Sequence, residues 1–141
     1  MKEVSLIVYL LTTSILIVAS QGITLPFKKS RVIVTNYFTF ANQTTSIECY
    51  SSDDNLGVHN LRYGASYEWS FKTALFNTKF YCYFRTPCGE GKYGVFTNSL
   101  NDLFCNYVCN WSIHSNGVCV YSRITGEDYC QPWKIWKYCK P

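Results

Sequence analysis

Cysteine placement constrains this chain more than any other feature. Its eight cysteines are Cys49, Cys82, Cys88, Cys105, Cys109, Cys119, Cys130 and Cys139, and all of them follow an amino-terminal stretch with the layout of a cleaved secretory signal. Residues 1–22, MKEVSLIVYLLTTSILIVASQG, have a short charged start, an apolar run from Val4 to Val18, and small residues at Ala19, Ser20 and Gly22. The apolar run is short and one-sided for a membrane span, and no second long apolar run follows it, so the expectation is export without membrane insertion. An even cysteine count in an exported chain predicts a disulfide framework. The remaining residues, 23–141, suffice for a single domain with a modest core. Four bridges at about 2–4 kcal/mol each rival the net stability of an ordinary domain.

Past residue 27 the hydrophobic pattern has period two. Short alternating runs at 31–36, 45–50, 65–73, 79–85, 93–97, 110–115 and 118–123 are separated by turn residues. In 65–73, Tyr67, Trp69 and Phe71 share one face. In 79–85, Phe80, Cys82 and Phe84 oppose Tyr81, Tyr83 and Arg85. Seven to eight such strands predict an all-β fold, a small antiparallel β-sandwich stapled by disulfides. Asn116-Gly117 predicts a tight hairpin turn. It pairs His114 with Cys119 and leaves Cys109 on the opposite face, too far from Cys119 to bond it, because bridged α-carbons lie within about 7 Å.

Several chemistries can be tested against spacing. Asp53, Asp54 and Asn55 followed by Gly57 superficially resemble the opening of a calcium loop. Counting from Asp53, however, the glycine falls at the fifth position and the twelfth is Gly64, where a glutamate is required. The stretch is better read as a turn built by side-chain hydrogen bonds and closed by Gly57 at positive φ. Zinc would need a second close pair beside Cys105 and Cys109, and none exists. No cofactor is expected. A small, basic, secreted chain with eight cysteines and two histidines resembles pancreatic-type ribonucleases in composition, which makes His59 and His114 with a lysine the alternative, hydrolytic reading. Neither histidine has a recognisable catalytic context, and no Gly-x-Ser-x-Gly stretch is present, so the chain is not expected to be an enzyme. The net charge of +4 is carried by scattered lysines and arginines, which leaves nucleic-acid binding unsupported.

Asn42-Gln43-Thr44 and Asn110-Trp111-Ser112 are glycosylation sequons, the second within a strand where a glycan fits only on the solvent face. In the tail, Trp133, Trp136 and Tyr138 interleave with Lys134, Lys137 and Lys140. This pattern suits a membrane interface, or a last strand or coil tied to the body by Cys130 and Cys139. The paired cysteines favour the second reading.

Taken in order, CYSSDDNLGVHNL (49–61), YEWSFK (67–72), TKFYCYF (78–84), CNWSI (109–113), GVC (117–119) and CQPW (130–133) resemble the plant self-incompatibility S-protein family. The resemblance covers nearly all of the exported chain. It implies a small secreted β-sandwich that acts as a ligand, without catalysis, for a cell-surface membrane protein in pollen–pistil or related signalling. Cys88 and Cys139 are additional to the family's cysteines, and a bond between them would anchor the tail. The spacing of Cys105 and Cys109 is unusual for the family, and eight cysteines allow 105 connectivities. A monomer is expected, with partner-binding candidates on exposed loops: Asp53, Asp54 and Asn55; Glu90 and Lys92 in the 87–92 segment; Asn101 and Asp102 in the 99–102 connection.

Overall fold

The computed structural model describes residues 2–20, 28–40, 43–73 and 78–140. Asn42 therefore lies outside the described residues. An amino-terminal helix, α1 (Lys2–Ser20), exposes its apolar side chains from Val4 to Leu11. Among the described residues no helix is long and apolar enough to cross a membrane.

Ten strands follow among the described residues: β1 (Lys29–Asn36), β2 (Thr45–Tyr50), β3 (Asn55–Leu61), β4 (Ser66–Lys72), β5 (Phe80–Arg85), β6 (Gly89–Phe96), β7 (Val108–His114), β8 (Gly117–Tyr121), β9 (Asp128–Pro132) and β10 (Ile135–Trp136). Between β6 and β7 a short helix, α2 (Asn98–Leu100), capped by Thr97, runs into a wide π-type turn (Asn101–Cys105). One sheet has the order β4-β1-β7-β8-β9 and the other β10-β6-β5-β2-β3. The expected sandwich is thus present, with more strands than the seven or eight read from alternation. Its pairings are antiparallel except that β1 and β7 run parallel.

Alternation in β1, β2, β5, β6 and β7 directs one face inward. Val32 and Val34 from β1, Trp111 and Ile113 from β7, and Val118 and Val120 from β8 meet Ile47 from β2, Phe84 from β5 and Val95 and Phe96 from β6. Polar groups stitch the two sheets together where they would otherwise be stranded. The Trp111 indole N–H donates to the Val95 carbonyl at 2.8 Å. The buried Asn36 amide donates to the Leu61 carbonyl at 2.9 Å and accepts from the Phe38 N–H at 2.9 Å.

All eight cysteines are bonded: Cys49–Cys82, Cys88–Cys139, Cys105–Cys109 and Cys119–Cys130. The tail is anchored as anticipated, and the closely spaced Cys105 and Cys109 join the π-type turn to β7. Cys109 and Cys119 do not bond to each other. The β7–β8 hairpin, however, closes one residue earlier than the Asn116-Gly117 reading, at Ser115-Asn116, so that His114 faces Gly117 and Ser112 faces Cys119. Gly117 belongs in the strand because β9 runs against it. A β-carbon there would lie 2.0 Å from the Gln131 carbonyl oxygen.

Candidate functional site

The outer face of the β10-β6-β5-β2-β3 sheet gathers the densest set of recognition side chains. Alternation turns Tyr81, Tyr83 and Arg85 of β5 away from the core that takes Phe80, Cys82 and Phe84. Register then sets Tyr50 opposite Tyr81, Glu48 opposite Tyr83, Tyr83 opposite Lys92, and Arg85 opposite Glu90. The Tyr50 and Tyr81 rings are 6.2 Å apart, and the Lys92 ammonium sits 5.1 Å from the first ring centre and 4.8 Å from the second. The Arg85 guanidinium lies 4.5 Å over the Tyr83 ring and 3.8 Å from the Glu48 carboxylate. These are cation–π geometries, which hold flexible cations in place while leaving their outer sides open to a partner.

At the edge of this face the Tyr83 hydroxyl donates to Glu90 at 3.1 Å, and Lys137 of the tail reaches the other carboxylate oxygen at 2.5 Å. The Lys137 ammonium, followed by the Tyr83 hydroxyl, holds the Glu90 carboxyl below its ordinary value. Loss of water and the bond to Glu90 push the Tyr83 hydroxyl above the usual phenol value. Lys134 lies 4.8 Å over the Tyr93 ring and donates to the Lys92 carbonyl. The face and its tail edge carry Arg85, Lys92, Lys134 and Lys137 against Glu48 and Glu90, with Asp53 and Asp54 in the turn beside Tyr50, so charges of both signs are interspersed.

The loop candidates fare differently. Glu90 and Lys92 are strand residues of β6, since the 87–92 segment is a turn only at its start. Asn101 is buried, and its side-chain oxygen accepts the Tyr107 N–H at 2.7 Å, so it shapes the π-type turn and is not an exposed contact. Asp102 is exposed in that turn, and Asp53, Asp54 and Asn55 are exposed next to Tyr50. Their turn is organised by Ser51, whose hydroxyl accepts the Asp54 N–H at 3.0 Å, while Asn55 accepts the Gly57 N–H at 2.9 Å. The expectation gave such bonds to Asp53, Asp54 and Asn55; Asn55 makes one, and Ser51 makes the other in place of the aspartates. Gly57 does have positive φ, at 79°, but within β3, where a bulge places an extra residue opposite β2.

The fold separates the two histidines. His59 faces inward at the open edge of the sandwich, stacked on Tyr67 with ring centres 3.7 Å apart and donating from Nε2 to the Leu56 carbonyl at 2.8 Å. His114 is on the outer face of the other sheet, stacked on Tyr37 and hydrogen-bonded to Ser112 at 2.9 Å. One closes an edge and the other lies on a surface, so the two-imidazole arrangement of the hydrolytic reading is not formed. Among the described residues, no cluster of His, Cys, Asp and Glu could hold a metal ion.

Fold and face define the class: a small two-sheet β-sandwich, stapled by four disulfides, with a tyrosine-rich outer surface. Comparison with known proteins places it more closely. The family model described as plant self-incompatibility protein S1 matches residues 31–133, and the chain belongs to that family. S-protein homolog 29 of Arabidopsis thaliana is 35% identical over 111 residues, covering 77% of this chain and 80% of the relative. S-protein homolog 2 of the same plant is 31% identical over 122 residues, covering 82% and 74%. A solved structure of SPH (Self-Incompatibility Protein Homologue) proteins, described as a widespread family of small, highly stable, secreted proteins from plants, matches with a TM-score of 0.56. It is 16% identical and covers 82% of this chain and 100% of that one, a likeness of fold.

Proposed function

We propose that this chain is a secreted, monomeric extracellular ligand that docks on a cell-surface membrane protein through the outer face of the β10-β6-β5-β2-β3 sheet. The α1 segment serves as its export leader, and four disulfides suit the oxidising compartment outside the cell. The observation that carries the reading is Lys92 seated over Tyr50 and Tyr81, beside Arg85 over Tyr83. Tyrosine and arginine are the side chains in which binding energy concentrates at protein interfaces. The exposed cations Lys92 and Arg85 suit acidic side chains on the receptor. The 51–54 turn, which continues from Tyr50, supplies its border.

The test is binding of labelled protein to plasma-membrane vesicles from the plant's own tissues, with Tyr50→Ala, Tyr81→Ala and Lys92→Ala. Loss of a hot-spot side chain costs about 2 kcal/mol or more, roughly a thirtyfold loss of affinity. The Lys92 variant should also show a shallower salt dependence of association. Folded variants that bind as tightly as wild type would refute this face as the docking surface.

A further inference from the structure

The opposite outer face, on the β4-β1-β7-β8-β9 sheet, holds a cleft of about 360 Å³. Register builds its floor. Asn110 of β7 pairs with Tyr121 of β8, which pairs with Asp128 of β9, giving an amide, a phenol and a carboxylate in one row across three strands. At strand spacings of about 4.8 Å, the row spans roughly 10 Å, the width of one sugar ring with its hydroxyls. One wall is the Tyr37 ring stacked on His114, centres 6.0 Å apart and planes 18° apart, with Ser112 beneath.

The Asn110 amide and the Asp128 carboxylate, both lining the cleft, have no hydrogen-bond or ion-pair partner among the described residues. A concave surface with aromatic walls and a few uncommitted polar groups suits a ligand that is apolar on its ring faces and polar at its rim. A pyranose has that chemistry: its C–H faces lie on aromatic rings, and its hydroxyls bridge carboxylate and amide oxygens.

We propose that this cleft seats a neutral pyranose sugar. The carboxylate of Asp128 selects against acidic sugars. Two sources supply the same ring: a sugar attached to Asn110 itself, whose sequon lies in the cleft, or a free sugar of the extracellular glycans. The proposal is independent of the docking face, which lies across the core.

Intact mass of the chain secreted from plant cells separates the sources. If a sugar is attached at Asn110, NMR should show contacts between its ring protons and Tyr121 or Tyr37, and an attached sugar without such contacts overturns the proposal. If none is attached, the same protein is titrated with N-acetylglucosamine, galactose and galacturonic acid to about 50 mM, well above the millimolar Kd of a one-ring site. Saturable amide shifts are expected at Asn110, His114, Tyr121 and Asp128 with at least one neutral sugar. Galacturonic acid should bind roughly fourfold more weakly than galactose, the factor for two like charges about 5 Å apart in water. Asp128→Asn should remove that difference. No saturable shift with any of the three, or equal binding of galactose and galacturonic acid to the wild-type protein, overturns the proposal.

Discussion

Replacing Gly89 with alanine should displace a tryptophan. A β-carbon on Gly89 would lie 2.2 Å from Trp133 Cγ, 2.4 Å from Cδ1 and 2.6 Å from Cβ. These atoms form the root of the indole side chain, so the clash cannot be relieved by swinging its tip. Trp133 is 2% exposed, donates its ring N–H to the Ser115 carbonyl at 2.9 Å, and meets Tyr93 edge to face at 6.2 Å. Truncating such a side chain costs about 3–5 kcal/mol. Overpacking by one methyl ordinarily costs about 1–3 kcal/mol, and here the relief available is loss of the tryptophan's own packing, so Gly89→Ala should cost about 2–4 kcal/mol. The decisive measurement is a double-mutant cycle by guanidinium unfolding with the disulfides intact. In a Trp133→Ala background the new methyl enters vacated space, so Gly89→Ala should cost about 0.5 kcal/mol or less, leaving a coupling of at least about 1.5 kcal/mol. A Gly89→Ala cost that is the same in both backgrounds, or that is under about 0.5 kcal/mol alone, would refute the argument.

Further expectations follow from the bridges, the bulge and the tail. Because Cys88–Cys139 closes 51 residues and Cys105–Cys109 only 4, replacing each pair by serines should cost about 4 and about 2 kcal/mol respectively on chain entropy, with the order of the two unfolding midpoints as the check. Gly57→Ala meets no atom within 4 Å but must adopt φ near 79°, so it should cost about 1–2 kcal/mol by denaturation, while Asp53→Ala, at an exposed position, should stay within about 0.5 kcal/mol. The Glu90 carboxyl is held low, so its tie to Lys137 stabilises the folded chain above the ordinary carboxylate value and is lost only as pH falls through the folded value. An NMR titration midpoint for Glu90 at or above the reference value of 4.5 would contradict this.

How far the sequence discloses the structure depends on whether the signal is local. Phe80, Cys82 and Phe84 announce their face through alternation, and the buried tryptophan of CQPW gains a physical reason once Gly89 is seen beneath it. β3 stays hidden because the positive φ at Gly57 inserts a bulge that breaks its alternation, and the neighbouring aspartates look like the whole feature. β9 is wholly exposed and ends in Pro132, so it carries no hydrophobic period to read. The parallel pairing of β1 with β7 joins segments far apart in sequence and leaves no local trace. Lys92 can reach Tyr50 and Tyr81 only because β5 lies between β6 and β2, a fact of strand order. The outward tyrosines of 79–85 were visible as a face, and their pairing with a cation was not.

The cysteines bear on recognition as well as stability through the positions of two bridges. Cys49 and Cys82 are directly opposed across β2 and β5, one residue from the Tyr50–Tyr81 pair. Cys119 and Cys130 are directly opposed across β8 and β9, two residues from the Tyr121–Asp128 pair. A one-residue slip in either pairing would send every side chain of that strand to the other face, dissolving the tyrosine pair in the first sheet or the sugar row in the second. A covalent bond between opposed residues forbids that slip. β2 and β5 bury Ile47, Phe80 and Phe84 on their other face, which already fixes their register, whereas β9 is fully exposed and buries no apolar side chain of its own. For β9, the Cys119–Cys130 bond therefore supplies the specification that hydrophobic burial supplies for β2 and β5.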